Sequence, residues 1–237
     1  MTASTKARKR AELRRARGLP NTVPLERVRN HIAELNELGI THTMISLAAG
    51  IGRSTAGGVL HRSSEFVRLD TAAAILQVTH LPVPSQSTVL TVGARRRIRA
   101  LNAIGWPTSE LGRRLGQSSR STLNLTLADD YTTYAMWRRI RDLYDQLSGT
   151  RGPSSQSAKR AHNAGHPPPL AWEGRDIDHP REQPDWKAAG ITLAQRAECS
   201  RGHAYTPANT YRRPNGNRIC RTCTAAAAAR RHATKAS

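Results

Sequence analysis

Apolar residues recur with helical spacing in two parts of the chain. The first stripe opens a region of short helices and consists of Val28, Ile32, Leu35 and Leu38. Gly39 is placed to end this helix, because glycine adopts the left-handed C′ conformation at little cost. Thr41 is placed to cap a second helix, which Gly50 ends with a tight turn. A third helix is predicted from about Arg53 and a fourth over residues 69–78.

The same pattern returns 66 residues later. The segments VRNHIAELNELGITHTMISLAAGIGRST (28–55) and ARRRIRALNAIGWPTSELGRRLGQSSRS (94–121) align without a gap. The identical pairs in this alignment are Arg29/Arg95, Ile32/Ile98, Leu35/Leu101, Asn36/Asn102, Gly39/Gly105 and Gly50/Gly116. A shared register over this length indicates an internal repeat. A longer helix closes the second copy, and Trp137 lies on its apolar stripe.

Two helices joined by a tight glycine turn are typical of the helix-turn-helix motif. In this motif the second helix braces a third, which lies in the major groove of DNA. The second helix needs a small residue where it faces the third, and Ser46 and Gly112 occupy that position in the two copies. The start of the third helix must present polar groups to base edges, since arginine suits guanine and asparagine suits adenine. The predicted base-contacting residues are Arg53, Ser54 and Thr55 in the first copy and Ser119, Arg120, Ser121 and Asn124 in the second.

The charge of the chain favours a polyanionic partner. The sequence has 37 lysines and arginines against 17 acidic residues, a net charge of +20, and nucleic acid is the usual partner of such a surface. The first residues are rich in arginine and lysine and are expected to form a mobile arm along DNA. No apolar run approaches the roughly 20 residues that span a bilayer. The N-terminus lacks the apolar stretch of a signal peptide, so no membrane partner and a cytoplasmic location are expected.

All three cysteines lie near the C-terminus in the spacing C-x3-H-x16-C-x2-C, formed by Cys199, His203, Cys220 and Cys223. Two close pairs of nitrogen and sulfur ligands predict tetrahedral zinc, and four protein ligands make it structural. His232 is a less suitable substitute ligand, because it lies well beyond the second pair. The intervening TYRRPNGNRIC predicts a hairpin, and the alanine-rich segment after it predicts a helix.

This order of knuckle, hairpin and helix is the treble-clef arrangement. From Cys199 onward the sequence has eight lysines and arginines and no acid. The residues predicted to contact phosphates here are Arg212, Arg213, Arg218, Arg221, Arg230 and Arg231.

Together these patterns predict a mostly α-helical protein with two tandem helix-turn-helix domains and a small zinc-bound module. The expected segments are a basic arm (1–24), the first helix-turn-helix domain (25–84), the second (92–150), a Pro/Gly-rich and then acidic linker (151–194), and the zinc module (195–237).

Residues 25–180 resemble a group of double helix-turn-helix proteins of actinobacteria and their phages. The resemblance is carried by the repeat, by the helix ends LNELGI and LNAIGW, and by the stretch PPPLAWEGRDID. It implies sequence-specific DNA binding and repressor-like control of transcription, with phage or prophage genes as targets. The chain departs from that group at Gly52, where a serine or threonine cap is usual, and at Gly57–Gly58, which weaken the third helix.

The C-terminal segment resembles the zinc-binding portion of phage HNH-type proteins, which raises a metal-dependent DNA endonuclease as an alternative. Asp178–His179 looks like the Asp-His pair of such a site. His179 nevertheless precedes the zinc segment, and no asparagine and second histidine follow at the usual spacing. A binder of DNA without sequence preference is a third possibility.

The favoured function is a non-enzymatic regulator that binds an asymmetric site on double-stranded DNA. Because one chain carries two different sets of reading residues, it is expected to act as a monomer. RNA polymerase is a candidate partner, and the sequence points to no small-molecule ligand.

Overall fold

The computed structural model describes residues 3–117, 123–124, 127–191, 198–199, 201–213 and 218–235. Within these ranges it contains ten α-helices and three two-stranded antiparallel sheets. About half of the chain is helical and the sheets are small, which confirms the predicted helical class. The predicted contact residues Ser119, Arg120 and Ser121 lie outside the described residues.

The first copy of the repeat contains most of the N-terminal elements. In chain order these are α1 (Ala3–Ala16), β1 (Thr22–Pro24), α2 (Glu26–Glu37), α3 (His42–Ala48), α4 (Thr55–Leu60), β2 (Phe66–Arg68) and α5 (Leu69–Leu76). The next elements are β3 (Thr88–Leu90), α6 (Val92–Ala103), α7 (Thr108–Arg114), β4 (Tyr131–Thr133) and α8 (Tyr134–Leu147), and residues 123–124 and 127–128 are also helical. The C-terminal elements are α9 (Ser155–Asn163), a 3₁₀ turn (Pro169–Trp172), β5 (Thr210–Arg212), β6 (Arg218–Cys220) and α10 (Arg221–Lys235).

The order of elements repeats with the offset seen in the sequence. α6 and α7 have the same lengths as α2 and α3 and begin 66 residues after them. In both copies a three-residue strand precedes the first helix and pairs with a strand that follows the third. Thr22 lies opposite Arg68 in the first pair, and Thr88 lies opposite Thr133 in the second. No sequence pattern predicts these sheets, because strands of three residues show too little alternation.

The glycines at the predicted helix ends have the left-handed backbone that the repeat requires. Gly39 and Gly105 have φ angles of 90° and 100°, and Gly50 and Gly116 have φ angles of 65° and 64°. A side chain at Gly105 would also meet the backbone oxygen of Gly152 at 3.0 Å. Glycine at these positions is therefore required by backbone conformation in both copies.

One compact unit consists of Met1–Ala94, Asn124–Arg141 and Asp178–Arg181. Its main core is formed by α2 to α5, and the predicted stripe residues Val28, Ile32 and Leu35 are buried in it. The predicted cap is also confirmed, since Thr41 Oγ1 accepts a hydrogen bond from the N–H of Met44 at 3.3 Å.

The N-terminal residues, expected as a mobile arm, form the helix α1. Alanine, arginine, lysine and leucine are good helix formers, and Arg8 and Glu12 form an i,i+4 pair at 3.4 Å. No apolar face is needed, and Leu13 remains exposed. The Asn21 side-chain amide donates to the Ala11 carbonyl at 3.2 Å and joins the helix to the following segment.

The other compact unit consists of Arg95–Leu123, Asp142–Ile177 and Glu182–Ser237. The segment predicted as a linker forms α9 and packs Trp172 and Ile177 against Ala100 of α6 in a small core. Arg96 donates to the backbone oxygens of Ile177 (3.1 Å) and Glu182 (2.8 Å), and its guanidinium lies 4.9 Å from the centre of the Trp172 ring. The predicted linker has too few apolar residues to show helical periodicity. Its folded state is therefore seen only in the packing of those residues against α6.

Candidate metal centre and basic surfaces

The first pair of candidate ligands lies in a tight turn. A bridge between Glu198 and Ala204 closes this turn, and the Cys199 N–H donates to the His203 carbonyl at 2.9 Å. Gly202, with a φ of 78°, allows the backbone to reverse between the two ligands. The spacing C-x3-H therefore brings a thiol and an imidazole to one side of the turn.

The second pair lies where the hairpin passes into the last helix. β5 and β6 pair antiparallel, with Thr210 opposite Cys220, which confirms the predicted hairpin. Cys220 is the last residue of β6, and Cys223 lies in the first turn of α10. The helical turn between them turns both thiols toward the first pair.

The four side chains form one cluster whose ligand atoms all lie within 4.8 Å of one another. The Sγ atoms of Cys199 and Cys223 are 3.6 Å apart. The Nδ1 atom of His203 lies 3.5, 3.2 and 3.6 Å from the Sγ atoms of Cys199, Cys223 and Cys220. Tetrahedral zinc with its usual bond lengths would place two sulfurs about 3.8 Å apart and a sulfur and a nitrogen about 3.6 Å apart. The cluster could hold a metal ion, and its dimensions are consistent with zinc.

Asn209 forms hydrogen bonds to residues around this cluster, although no sequence motif marks it as a functional residue. Its side-chain N–H groups donate to the Ala204 carbonyl at 2.7 Å and to the Cys220 sulfur at 3.4 Å. Its Oδ1 accepts from the N–H and the hydroxyl of Thr222, at 3.0 and 2.8 Å. Such outer contacts orient metal ligands, and Asn209 joins the turn, the hairpin and the helix start.

Local contacts shift the pKa values of Cys220 and Cys223 in opposite directions. Burial opposes ionisation of Cys220, but hydrogen bonds from the Cys223 backbone and from Asn209 prevail and lower its pKa to about 6. Burial, followed by hydrogen bonds with the other two thiols, raises the pKa of Cys223 to about 11. The Cys220 thiolate is thus favoured by the same N–H groups that would stabilise a metal-bound sulfur.

The predicted reading residues of the first copy lie around the start of α4. Arg53 and Ser54 are exposed and precede the helix, which begins at Thr55 rather than near Arg53. Ser46 is fully buried in α3, and its Oγ accepts a hydrogen bond of 3.0 Å from the N–H of Ala56. The small residue predicted between the two helices therefore also caps the second of them.

The second copy shows matching features where it is described. Gly112 is buried in α7, and Leu123 is buried while its helical neighbour Asn124 is exposed. Asn124 is thus the one predicted reading residue of this copy that falls within the described ranges.

The C-terminal arginines lie on the hairpin and the last helix. Arg212, Arg213 and Arg230 are exposed, and Arg231 lies within α10, where its side chain is outside the described set. Arg218 and Arg221, also predicted to contact phosphates, belong to the same basic segment. Among the described residues, these two line one shallow cavity together with Tyr205, Tyr211 and Arg212.

Asp178 and His179, the candidate nuclease residues, contact other side chains of the protein. Asp178 is buried, and its Oδ1 accepts a hydrogen bond of 2.8 Å from the indole N–H of Trp137. His179 makes an edge-to-face contact with His80, with ring centres 4.6 Å apart. Across the described ranges, the cysteine–histidine cluster is the one group of three or more histidine, cysteine, aspartate or glutamate side chains placed to hold a metal ion.

No protein-family model matches this chain, and neither a curated protein nor a solved structure matches it. Of the described helices, none combines the length and apolar character needed to cross a membrane.

Proposed function

We propose that this protein is a sequence-specific regulator of transcription that binds double-stranded DNA through two helix-turn-helix units. The observation that carries the proposal is the repeated pair of helices α2–α3 and α6–α7, in the same lengths and with left-handed glycines at the same positions. The helix after each pair would lie in the major groove. The resemblance to double helix-turn-helix proteins of actinobacteria and their phages supports a repressor-like role in the cytoplasm.

The contact between α3 and α4 supports this assignment for the first unit. A reading helix must be braced by its neighbour and still present its N-terminal residues to solvent. The buried Ser46 binds the start of α4, and Arg53 and Ser54 lie exposed beside it. Arg53 is suited to the two acceptors of guanine.

Different residues would read the two half-sites. Arg53, Ser54 and Thr55 of the first unit correspond to Ser119, Arg120 and Ser121 of the second. The full site is therefore asymmetric, and one chain is sufficient to recognise it. Occlusion of a promoter or contact with RNA polymerase would convert binding into control.

We also propose that the cysteine–histidine cluster holds structural zinc in a treble-clef-like module. Cys199, His203, Cys220 and Cys223 would supply all four ligands, which leaves no open position for catalysis. Zinc would hold the hairpin against α10, so that the module adds phosphate contacts to those of the helical units.

The first experiment is selection of bound duplexes from a random pool with Mg²⁺ present. We expect an enriched asymmetric two-part motif on intact DNA. Binding without enrichment would favour an architectural binder, and cut strands would favour the nuclease alternative.

Arginine variants then assign the reading surface. Arg53→Ala should relax the preference at one position of the first half-site and cost about 1–3 kcal/mol on the selected site. Arg113→Ala is the matched control, because its guanidinium is already paired with Glu110 at 2.8 Å. Unchanged base preference in Arg53→Ala would refute the assignment of α4 as a reading helix.

A further inference from the structure

One surface of the C-terminal module combines arginine and tyrosine side chains. It comprises Tyr205, Thr210, Tyr211, Arg212, Arg218 and Arg221, which line a cavity of about 420 Å³ together with Pro207. We call it the Arg–Tyr surface. It lies on β5, β6 and the start of α10, beside the metal cluster rather than within it.

The charges of this surface are arranged unfavourably for the chain alone. Arg212 and Arg218 are direct partners across the hairpin, and like charges at such positions repel each other. Arg221 is the first residue of α10, whose first turn contains no acidic residue, and a cation there opposes the helix dipole. From Cys199 onward the sequence contains no aspartate or glutamate. A bound polyanion would relieve both repulsions.

The aromatic residues distinguish this surface from a general phosphate contact. The Arg218 guanidinium lies 4.3 Å from the centre of the Tyr205 ring. This cation–π contact orients the guanidinium. Tyr211 is 50% exposed, in a chain whose aromatic content is only 4%. Phosphates alone would require only the arginines, whereas an exposed ring offers a stacking surface for a base.

Tyr211 and the three arginines line the same cavity. A single nucleic-acid strand bound there would meet an exposed ring for a base and guanidinium groups for its phosphates. In a duplex the bases are stacked inside and cannot reach Tyr211 without distortion.

We infer that the Arg–Tyr surface binds single-stranded DNA, with Arg212, Arg218 and Arg221 on phosphates and Tyr211 stacked on a base. This goes beyond the duplex recognition proposed above and uses no residue of the helix-turn-helix units. DNA opened next to a duplex site would then be held by the same chain.

The test measures fluorescence anisotropy of the zinc-loaded full chain with a labelled 15-nucleotide oligo(dT) and, separately, with a labelled mixed-sequence duplex of equal length. Tyr211→Ala should weaken oligo(dT) binding by about tenfold, within the range for loss of one stacked base, and leave duplex binding unchanged. Tyr211→Phe should bind oligo(dT) as the parent protein does, because the ring is retained. The matched control is Phe66→Ala, which removes a ring of similar exposure, 52%, from β2.

Three outcomes would overturn the inference: no oligo(dT) binding by the parent protein, equal loss in Tyr211→Ala and Phe66→Ala, or equal loss of oligo(dT) and duplex binding in Tyr211→Ala. Metal content measured by mass spectrometry establishes that the Tyr211 variants retain the folded module. Failure of duplex selection would refute the helix-turn-helix proposal alone, since oligo(dT) binding is measured independently.

Discussion

Replacing Ser46 with alanine tests how α3 holds α4. Ser46 is 0% exposed, and its Oγ accepts the 3.0 Å hydrogen bond from the Ala56 N–H. That N–H lies in the first turn of α4, where helices lack acceptors of their own. Alanine would leave the N–H buried without an acceptor, which costs about 1–3 kcal/mol.

The free energy of unfolding can be measured by urea titration of the full chain, followed by circular dichroism at 222 nm. For a slope of about 2 kcal/mol/M, the expected loss lowers the midpoint by about 0.5–1.5 M. Hydrogen exchange in the peptide that covers α3 and α4 should also accelerate, because this pair of helices opens more easily.

Ser54→Ala is the matched control for this variant. Ser54 stands at the N-cap position of α4 but is exposed, and its side chain makes no capping hydrogen bond. Its replacement should change the free energy of unfolding by less than about 0.5 kcal/mol. Equal stability of Ser46→Ala and the parent protein, or a larger loss from Ser54→Ala, would refute the reasoning.

Three further predictions concern the metal, α4 and pH. Cys223→Ser should lose the bound metal and melt α10 while α2 to α8 remain folded; metal analysis and hydrogen exchange check this, and a metal-free parent protein would contradict it. Gly58→Ala should stabilise the chain by about 0.5–1 kcal/mol, because a Cβ there meets no atom within 4 Å and alanine favours the helix; a lower urea midpoint would contradict it. Burial, and next the nearby Arg99, lower the pKa of His166 from 6.5 to about 4, so the unfolded chain takes up this proton first as the pH falls. The free energy of unfolding should therefore be insensitive to this group above pH 6.5 and drop by about 1–2 kcal/mol toward pH 4, allowing for its partial exposure; urea titrations of His166→Gln over this range should show a smaller drop.

Local sequence predicted the helices of the repeat well, because their signals are contained within a few residues. Gly39 and Gly50 mark helix ends through backbone conformation, and Thr41 marks a helix start through its hydroxyl. The metal cluster was predicted for a similar reason, since each close ligand pair lies on one turn. The side chains of Cys199 and Cys223 meet as that spacing predicted.

Other features depend on partners far along the chain and have no local signal. The Trp172 core is one example, because its closure relies on Arg96, 76 residues earlier. Asn209 is another, since its role follows from contacts with Ala204, Cys220 and Thr222 rather than from its own neighbours.

The repeat, the helix ends and the four candidate ligands can be recognised from local sequence, because glycine conformation, capping and ligand spacing act over one or two turns. Tertiary contacts establish that Ser46 caps α4, that the segment around Trp172 is packed, and that Arg212 and Arg218 are cross-strand partners beside two tyrosines. Those arrangements arise when burial and strand pairing bring together segments that are distant in sequence. The contacts that stabilise them involve residues that no local sequence pattern connects.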